Sequence, residues 1–371
     1  MTFISARRIP SALLLLVLCA CGGGGTPAPH AGPRRIMLHD VALNVIVPTY
    51  EALVVAADEQ LTALQALEAQ PDATTLADAQ AAWRRARSVW KQSEAFAFGP
   101  AATLRSASKI DWSPIRADRI ERAIGAASSF DSAAIEGLGA NVKGLLALEY
   151  LLFDEDGDDA AVLASLSGAG ARARRAYVRA LGENIRDQSV LLRDAWSPTA
   201  GNFAAELATA GQGSVAYPKV KDAVDAVVNQ IIFLSSDVAV RQLQAPLGTD
   251  GHPRPDLIVA GRSHSGLSDI IDNVAGIQNV YFGSYATNTG ASLSRIVDGL
   301  NPPTNTAIEF TFERVFDAAA DLSVPLEEAV TSERAAVART QQRVAELMRR
   351  LEIDMVSVLG TTLRFNPGDG D

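Results

Sequence analysis

Between residues 40 and 355 of this 371-residue chain, apolar side chains recur every three or four positions. That spacing leaves room for little but helices. Leu53, Ala57, Leu61 and Leu64 fall on one face, as do Ala176, Leu181 and Ile185 further on, and Ala81, Val89 and Trp90 belong to another apolar stretch. Ala and Leu dominate and β-branched runs are short, so intrinsic propensity points the same way. The pattern predicts helices near 44–69, 74–96, 132–153, 172–196, 217–243, 264–283, 304–321 and 332–352. Loops are expected at 70–73, at the acidic 154–159 run, at 197–202 and at the Pro- and Gly-rich 245–256 stretch, the best boundary or crossing loop. The expected fold class is all-α.

An internal echo divides the chain. Phe98, Gly99, Ala102, Thr103, Ala107 and Ser108 recur as Phe282, Gly283, Ala286, Thr287, Ala291 and Ser292, at a constant offset of 184. Each copy follows a helix with an aromatic end, and glycine suits the left-handed turn that closes such a helix. Two similar helical-bundle halves related by a pseudo-repeat are therefore expected, at about 40–200 and 201–355, followed by a C-terminal tail over 356–371.

The N-terminus reads as an export signal. Arg7 and Arg8 precede an apolar run, Ile9 to Leu18, too short to span a bilayer as a mature helix. Leu18-Cys19-Ala20-Cys21 looks like a bacterial lipobox, with Cys21 the lipidated residue and residues 1–20 removed. Residues 21–39, rich in Gly and Pro, are expected to be a flexible tether. Gly22 after the acceptor cysteine suggests an outer-membrane lipoprotein facing the periplasm. No second stretch is expected to reach membrane-spanning length, which leaves the lipid as the membrane contact.

Composition narrows the function. Net charge is −10, and loss of Arg7 and Arg8 takes it to −12. Such a surface disfavours nucleic acid as a partner, since phosphate contacts need a positive face. Both cysteines lie in the leader segment, so the body can form neither an internal disulfide nor a thiolate metal site. There are four histidines and no H-E-x-x-H, the helical signature that holds zinc beside a general base.

One carboxylate stands out. Glu149 lies inside the apolar run NVKGLLALEYLLF, expected within one long helix, where burial is costly unless the group finds a partner or faces a cleft. It follows Gly144 and Leu146 in a G-x-L-x-x-E pattern. Upstream, Trp83, Trp90, Glu94, Phe98, Gly99 and Pro100 form a W-x(6)-W-x(3)-E-x(3)-F-G-P run, and downstream comes R-S-H-S-G-L-S-D-I-I-D over 262–272. Asp269 and Asp272 stand at i and i+3, a spacing compatible with one shared cation. The acidic 154–159 run does not match a calcium loop, whose glycine falls sixth, and Asp158 or Asp159 is expected to cap the next helix instead.

This set, in this order, resembles the imelysin family of bacterial exported proteins. The resemblance implies an all-helical fold of two bundle-like halves, a candidate site in the cleft between them, and a place at the cell envelope often linked to iron acquisition. It also brings a metallopeptidase label. The family's G-x-H-x-x-E motif maps onto Gly144, Leu146 and Glu149, with leucine in the histidine position. Leucine offers no lone pair, so the paired ligand one helical turn before Glu149 is missing. The expected polar lining is Glu149, Glu94, His264 and Asp269, facing a divalent metal, iron or an iron-bearing ligand. Trp90, Arg87, Gly144 and Asp272 complete the cleft, although Trp83, Trp90 and Phe98 also read as core. A non-enzymatic binding role leads, ahead of a metallopeptidase with rearranged ligands and an envelope scaffold that meets a protein partner.

Overall fold

The computed structural model describes residues 31–127, 129–248 and 251–364. Cys21, the signal segment and the first part of the expected tether lie outside the described residues. Within them the chain is almost wholly helical, with one two-stranded hairpin pairing Ser284–Tyr285 with Asn288–Thr289.

The first helix, α1 (Ala31–Ala69), begins earlier than the sequence suggests. Residues 31–39, expected in the tether, are its first turns, because Met37 and Leu38 bury completely. A helix with an apolar docking face is ordered by packing, whatever its Pro and Gly content. α2 (Ala73–Ser93) starts at a capping box, where Asp72 accepts from the amides of Thr74 and Thr75 and Thr75 Oγ1 receives the Asp72 N–H. The helix expected over 132–153 is broken into three pieces, and only α3 (Gly144–Leu152) carries the apolar run. Gly144 opens α3. Its φ is +80°, and a Cβ there would lie 2.5 Å from the Ile110 carbonyl oxygen. Asp158 caps the helix after the acidic loop, accepting from Ala161 N.

α4 (Arg172–Trp196) packs on α1 and α3 to complete the first half. The second half contains α5 (Val220–Leu247), α6 (Gly266–Phe282), α7 (Pro302–Ala320), α8 (Leu326–Ser332) and α9 (334–359). The first residues of the expected tail, 356–359, end α9. Beyond it, Asn229 of α5 holds the backbone of Thr362 and Arg364.

α1 and α5 are each long and apolar enough to cross a membrane, which corrects the expectation that no such stretch follows the leader. In both, most of the apolar window is inside the protein, 61% in α1 and 67% in α5, as core helices require. Each also widens into a π-helical segment, Ala42–Ile46 and Val238–Gln244, directly before a proline, Pro48 and Pro246. A wider turn relieves the clash of the proline ring with the preceding turn.

The halves meet where α2 crosses α6. Gly283 (φ +63°) closes α6 in left-handed backbone as expected, whereas α2 ends at Ser93 and Gly99 (φ +56°) instead starts the short helix Pro100–Thr103. The contact between α2 and α6 joins Ser88 to Asp272 at 2.8 Å, and Gly276 lies so close to Gln92 that a Cβ would fall 2.2 Å from its carbonyl oxygen. Both pairs are separated by the same 184 positions as the sequence echo.

Candidate functional site

Beside this crossing lies a cavity of about 610 Å³. Its walls come from α3 (Leu146, Glu149), the 113–115 turn, the segment 255–264 and the start of α8 (Glu327). The 258–266 segment decides its shape. Ala260 and His264 both hold left-handed backbone, at φ +58° and +54°, a conformation that costs a residue bearing a Cβ about 1 kcal/mol. The amides of His264 and Ser265 fold back onto the carbonyls of Gly261 and Ala260, and α6 starts at once with Gly266. This tight path turns the Ser263 N–H outward from its own loop.

Glu149 receives it. Ser263 N donates to Glu149 Oε1 at 2.9 Å and Ser263 Oγ donates to the same oxygen at 2.8 Å. Among the described residues no donor reaches Oε2. The residue is only 5% exposed, and burial raises its carboxyl above the ordinary range, with the nearby Arg87 charge and the Ser263 donors opposing.

Glu327 is in a similar state. Both its oxygens are buried without a hydrogen-bond partner, and the nearest basic side chain is His264, whose Nδ1 lies 3.7 Å from Oε2. A Cβ on Gly266 would sit 2.9 Å from Glu327 Oε1, so the carboxylate rests against the first residue of α6. The positive end of that helix offsets part of the burial cost. Burial still raises its pKa. Arg262 and Glu155, also on the cavity wall, pair with each other at 3.1 Å.

Behind the cavity wall runs a buried ion network. Arg87 grips Asp269 through two bonds, Nε to Oδ1 at 2.8 Å and Nη2 to Oδ2 at 2.7 Å, and reaches Asp111 through Nη1 at 2.8 Å. Lys91 Nζ lies 2.8 Å from the other Asp111 oxygen and 3.2 Å from Glu94 Oε1. Asn273 donates to Glu94 Oε2 at 2.7 Å. Burial alone would raise Asp111, but Arg87 and Lys91 outweigh it and hold the carboxyl below its usual range. For Glu94 burial wins and the pKa is raised.

The sequence profile of the imelysin family matches residues 46–351. This chain belongs to the imelysin family. It is 28% identical over 342 residues to iron-regulated protein A of Synechococcus elongatus, covering 90% of each protein. Two crystal structures share the fold. One is of a Parabacteroides distasonis protein described as an iron-regulated protein A precursor (TM-score 0.74, 19% identity, 90% of this chain and 97% of that one). The other is of an imelysin-like protein from Psychrobacter arcticum 273-4 (TM-score 0.72, 17% identity, 90% and 98%).

Leu146 lines the cavity beside Glu149. Glu149 and His264 share the cavity wall, but the other expected ligands lie elsewhere. Asp269 is committed to Arg87 and Glu94 to Lys91 and Asn273. Asp269 and Asp272 share no cation site, since Asp272 accepts from Ser88 and Gln92 instead. Trp90 is core, Arg87 serves the network, and Gly144 positions α3 without lining the cavity. Among the described residues no group of three or more His, Cys, Asp or Glu side chains is arranged to hold a metal ion. Glu149 makes no ion pair among the described residues, and Ser263 is its hydrogen-bond partner. Sequence reasoning missed Ser263 as its donor, Asp111 in the network and Glu327. Glu327 follows Pro325 at a helix start, where a glutamate ordinarily faces water.

Proposed function

We propose that this imelysin-family chain is a lipid-anchored envelope protein, linked to iron handling, that binds a cation-bearing ligand in the cavity and does not cleave peptides. One observation carries the reading. Glu149 is a nearly buried carboxylate, fixed at one oxygen by Ser263 and left without a donor at the other, on the wall of a small-molecule-sized cavity. The free oxygen is open to the cavity and can accept a hydrogen bond from a ligand or pair with its charge. The iron-regulated name of the Synechococcus relative supports iron as the metal concerned.

The residues do not fit a resident catalytic metal. A hydrolytic zinc takes three protein ligands and keeps one position open. Leu146 gives no lone pair, and Glu149, Glu327 and His264 do not form a three-ligand set. Calorimetry of the mature protein with manganous ion and with ferric complexes should give a saturable site that Glu149→Ala weakens far more than Glu352→Ala does. Equal weakening would remove the site assignment. Chelator-sensitive cleavage of unfolded peptides would defeat the binding-only reading. Lipid attachment is read from Cys21→Ser, which should move the protein from the membrane fraction to the soluble one.

A further inference from the structure

We propose that the cavity takes its cation already enclosed in an organic chelator, and that Glu327 acts with Glu149 to read the positive charge of that complex. The inference rests on the binding function proposed above and narrows its ligand class. Three observations converge on it.

The first is the donor set. A hard cation asks for about six oxygen ligands. The cavity offers Glu149 with one free oxygen, Glu327, and His264, and these do not close into a cage. A bare ion would keep most of its water and gain little. A chelated cation needs nothing further from the protein's first ligand positions.

The second is size and wall chemistry. At about 610 Å³ the space equals on the order of twenty waters, far beyond one ion. Ile115, Leu146, Ile258 and Val259 make much of its wall apolar, and this suits an organic shell. Leu146 is fitting here, where a histidine would suit a naked metal.

The third is charge. Glu155 is paired with Arg262, and Asp256 with Arg254 at 2.7 Å. Glu149 has no ion-pair partner among the described residues, and Glu327 has only His264 at 3.7 Å. Neither Glu327 oxygen receives a hydrogen bond. Two carboxyl groups without a strong cationic partner thus face the docking space, and they favour a complex of net positive charge over an anionic one of similar size.

Calorimetry with four probes tests this on the mature protein. Ferrioxamine B is a ferric trihydroxamate of charge +1; its metal-free form, ferric EDTA (an anionic chelate) and manganous ion are the comparisons. Ferrioxamine B should bind at least tenfold tighter than each of the other three. Glu327→Gln should weaken ferrioxamine B about tenfold while the melting temperature stays at or above that of the parent, and Glu352→Gln should change nothing. Manganous ion binding as tightly as ferrioxamine B would overturn the chelate and leave the cavity standing as a cation site. Equal binding of the metal-free form would overturn the need for metal, and preference for ferric EDTA would overturn the charge rule. An unchanged affinity in folded Glu327→Gln would remove Glu327 from the site. Absence of binding by all four would sink this inference and the proposed function together.

Discussion

Two groups of buried charge sit on opposite sides of the 258–266 segment, and they are finished to different degrees. Around Arg87, two cations and three carboxylates bond to one another or to Asn273 at 2.7–3.2 Å. Around the cavity, Glu149 has one oxygen engaged and Glu327 neither. The first arrangement joins helices α2 and α6 to the loop carrying Asp111. The second leaves polar capacity open toward a space that a small molecule can enter. Buried charge that holds a fold is completed from within the chain; buried charge that binds is completed from outside.

The largest effect should come from breaking the completed side. Arg87→Met leaves Asp111 and Asp269 buried without their main cation, and urea unfolding should show a loss of about 3–5 kcal/mol. A loss below about 1 kcal/mol would mean the network is structurally idle, and the contrast would fail. Next, Gly144→Ala puts a methyl group against the Ile110 carbonyl at a positive φ, and should cost about 2–3 kcal/mol in the same assay by displacing α3 and with it Glu149.

Acid and neutral pH should separate the two regions. Asp111 has a lowered folded-state pKa, so its stabilisation is complete above the ordinary value of 3.8 and disappears as pH falls through its folded value. Melting curves should therefore fall steeply at acid pH in the parent and less so in Asp111→Asn, which begins less stable. Glu149 carries the opposite sign. Its raised pKa gives a contribution present below 4.5 and lost as pH rises through the folded value. Glu149→Gln keeps an acceptor for Ser263 without the charge. It should melt higher than the parent by an amount that grows as pH rises from about 4.5 to 7.5. A gain independent of pH would show that ionised Glu149 is not the strained species. Glu327→Gln should show the same sign with the smallest amplitude, because the α6 terminus already offsets part of its burial.

Most helices were legible in the sequence, since 3.6-residue periodicity is written in neighbouring residues. The failures had causes outside that periodicity. The 132–153 segment was expected as one helix, yet it stops at Glu136 before Gly137 and Gly139, and the Ile110 carbonyl then approaches the backbone at Gly144 where α3 starts. Residues 31–39 look like a linker until Met37 and Leu38 find a core to enter. Within the site, Glu149 was legible because a lone carboxylate in an apolar run demands an explanation. His264 was legible as one of only four histidines, in the run that matches the family. Glu327 and Asp111 were not, because glutamate at a helix start and aspartate before a Trp-Ser-Pro turn are ordinary at a surface.

The sequence by itself therefore determined the helical class, the family, the Phe-Gly turn that closes α6, and the oddity of Glu149. Only the tertiary structure decided which carboxylates are satisfied. Ser263 is 114 positions from Glu149, and Asp269 is 182 from Arg87. Helix formation depends on contacts three and four residues away, whereas the state of a buried charge depends on whichever group the packed chain sets within about 3 Å of it.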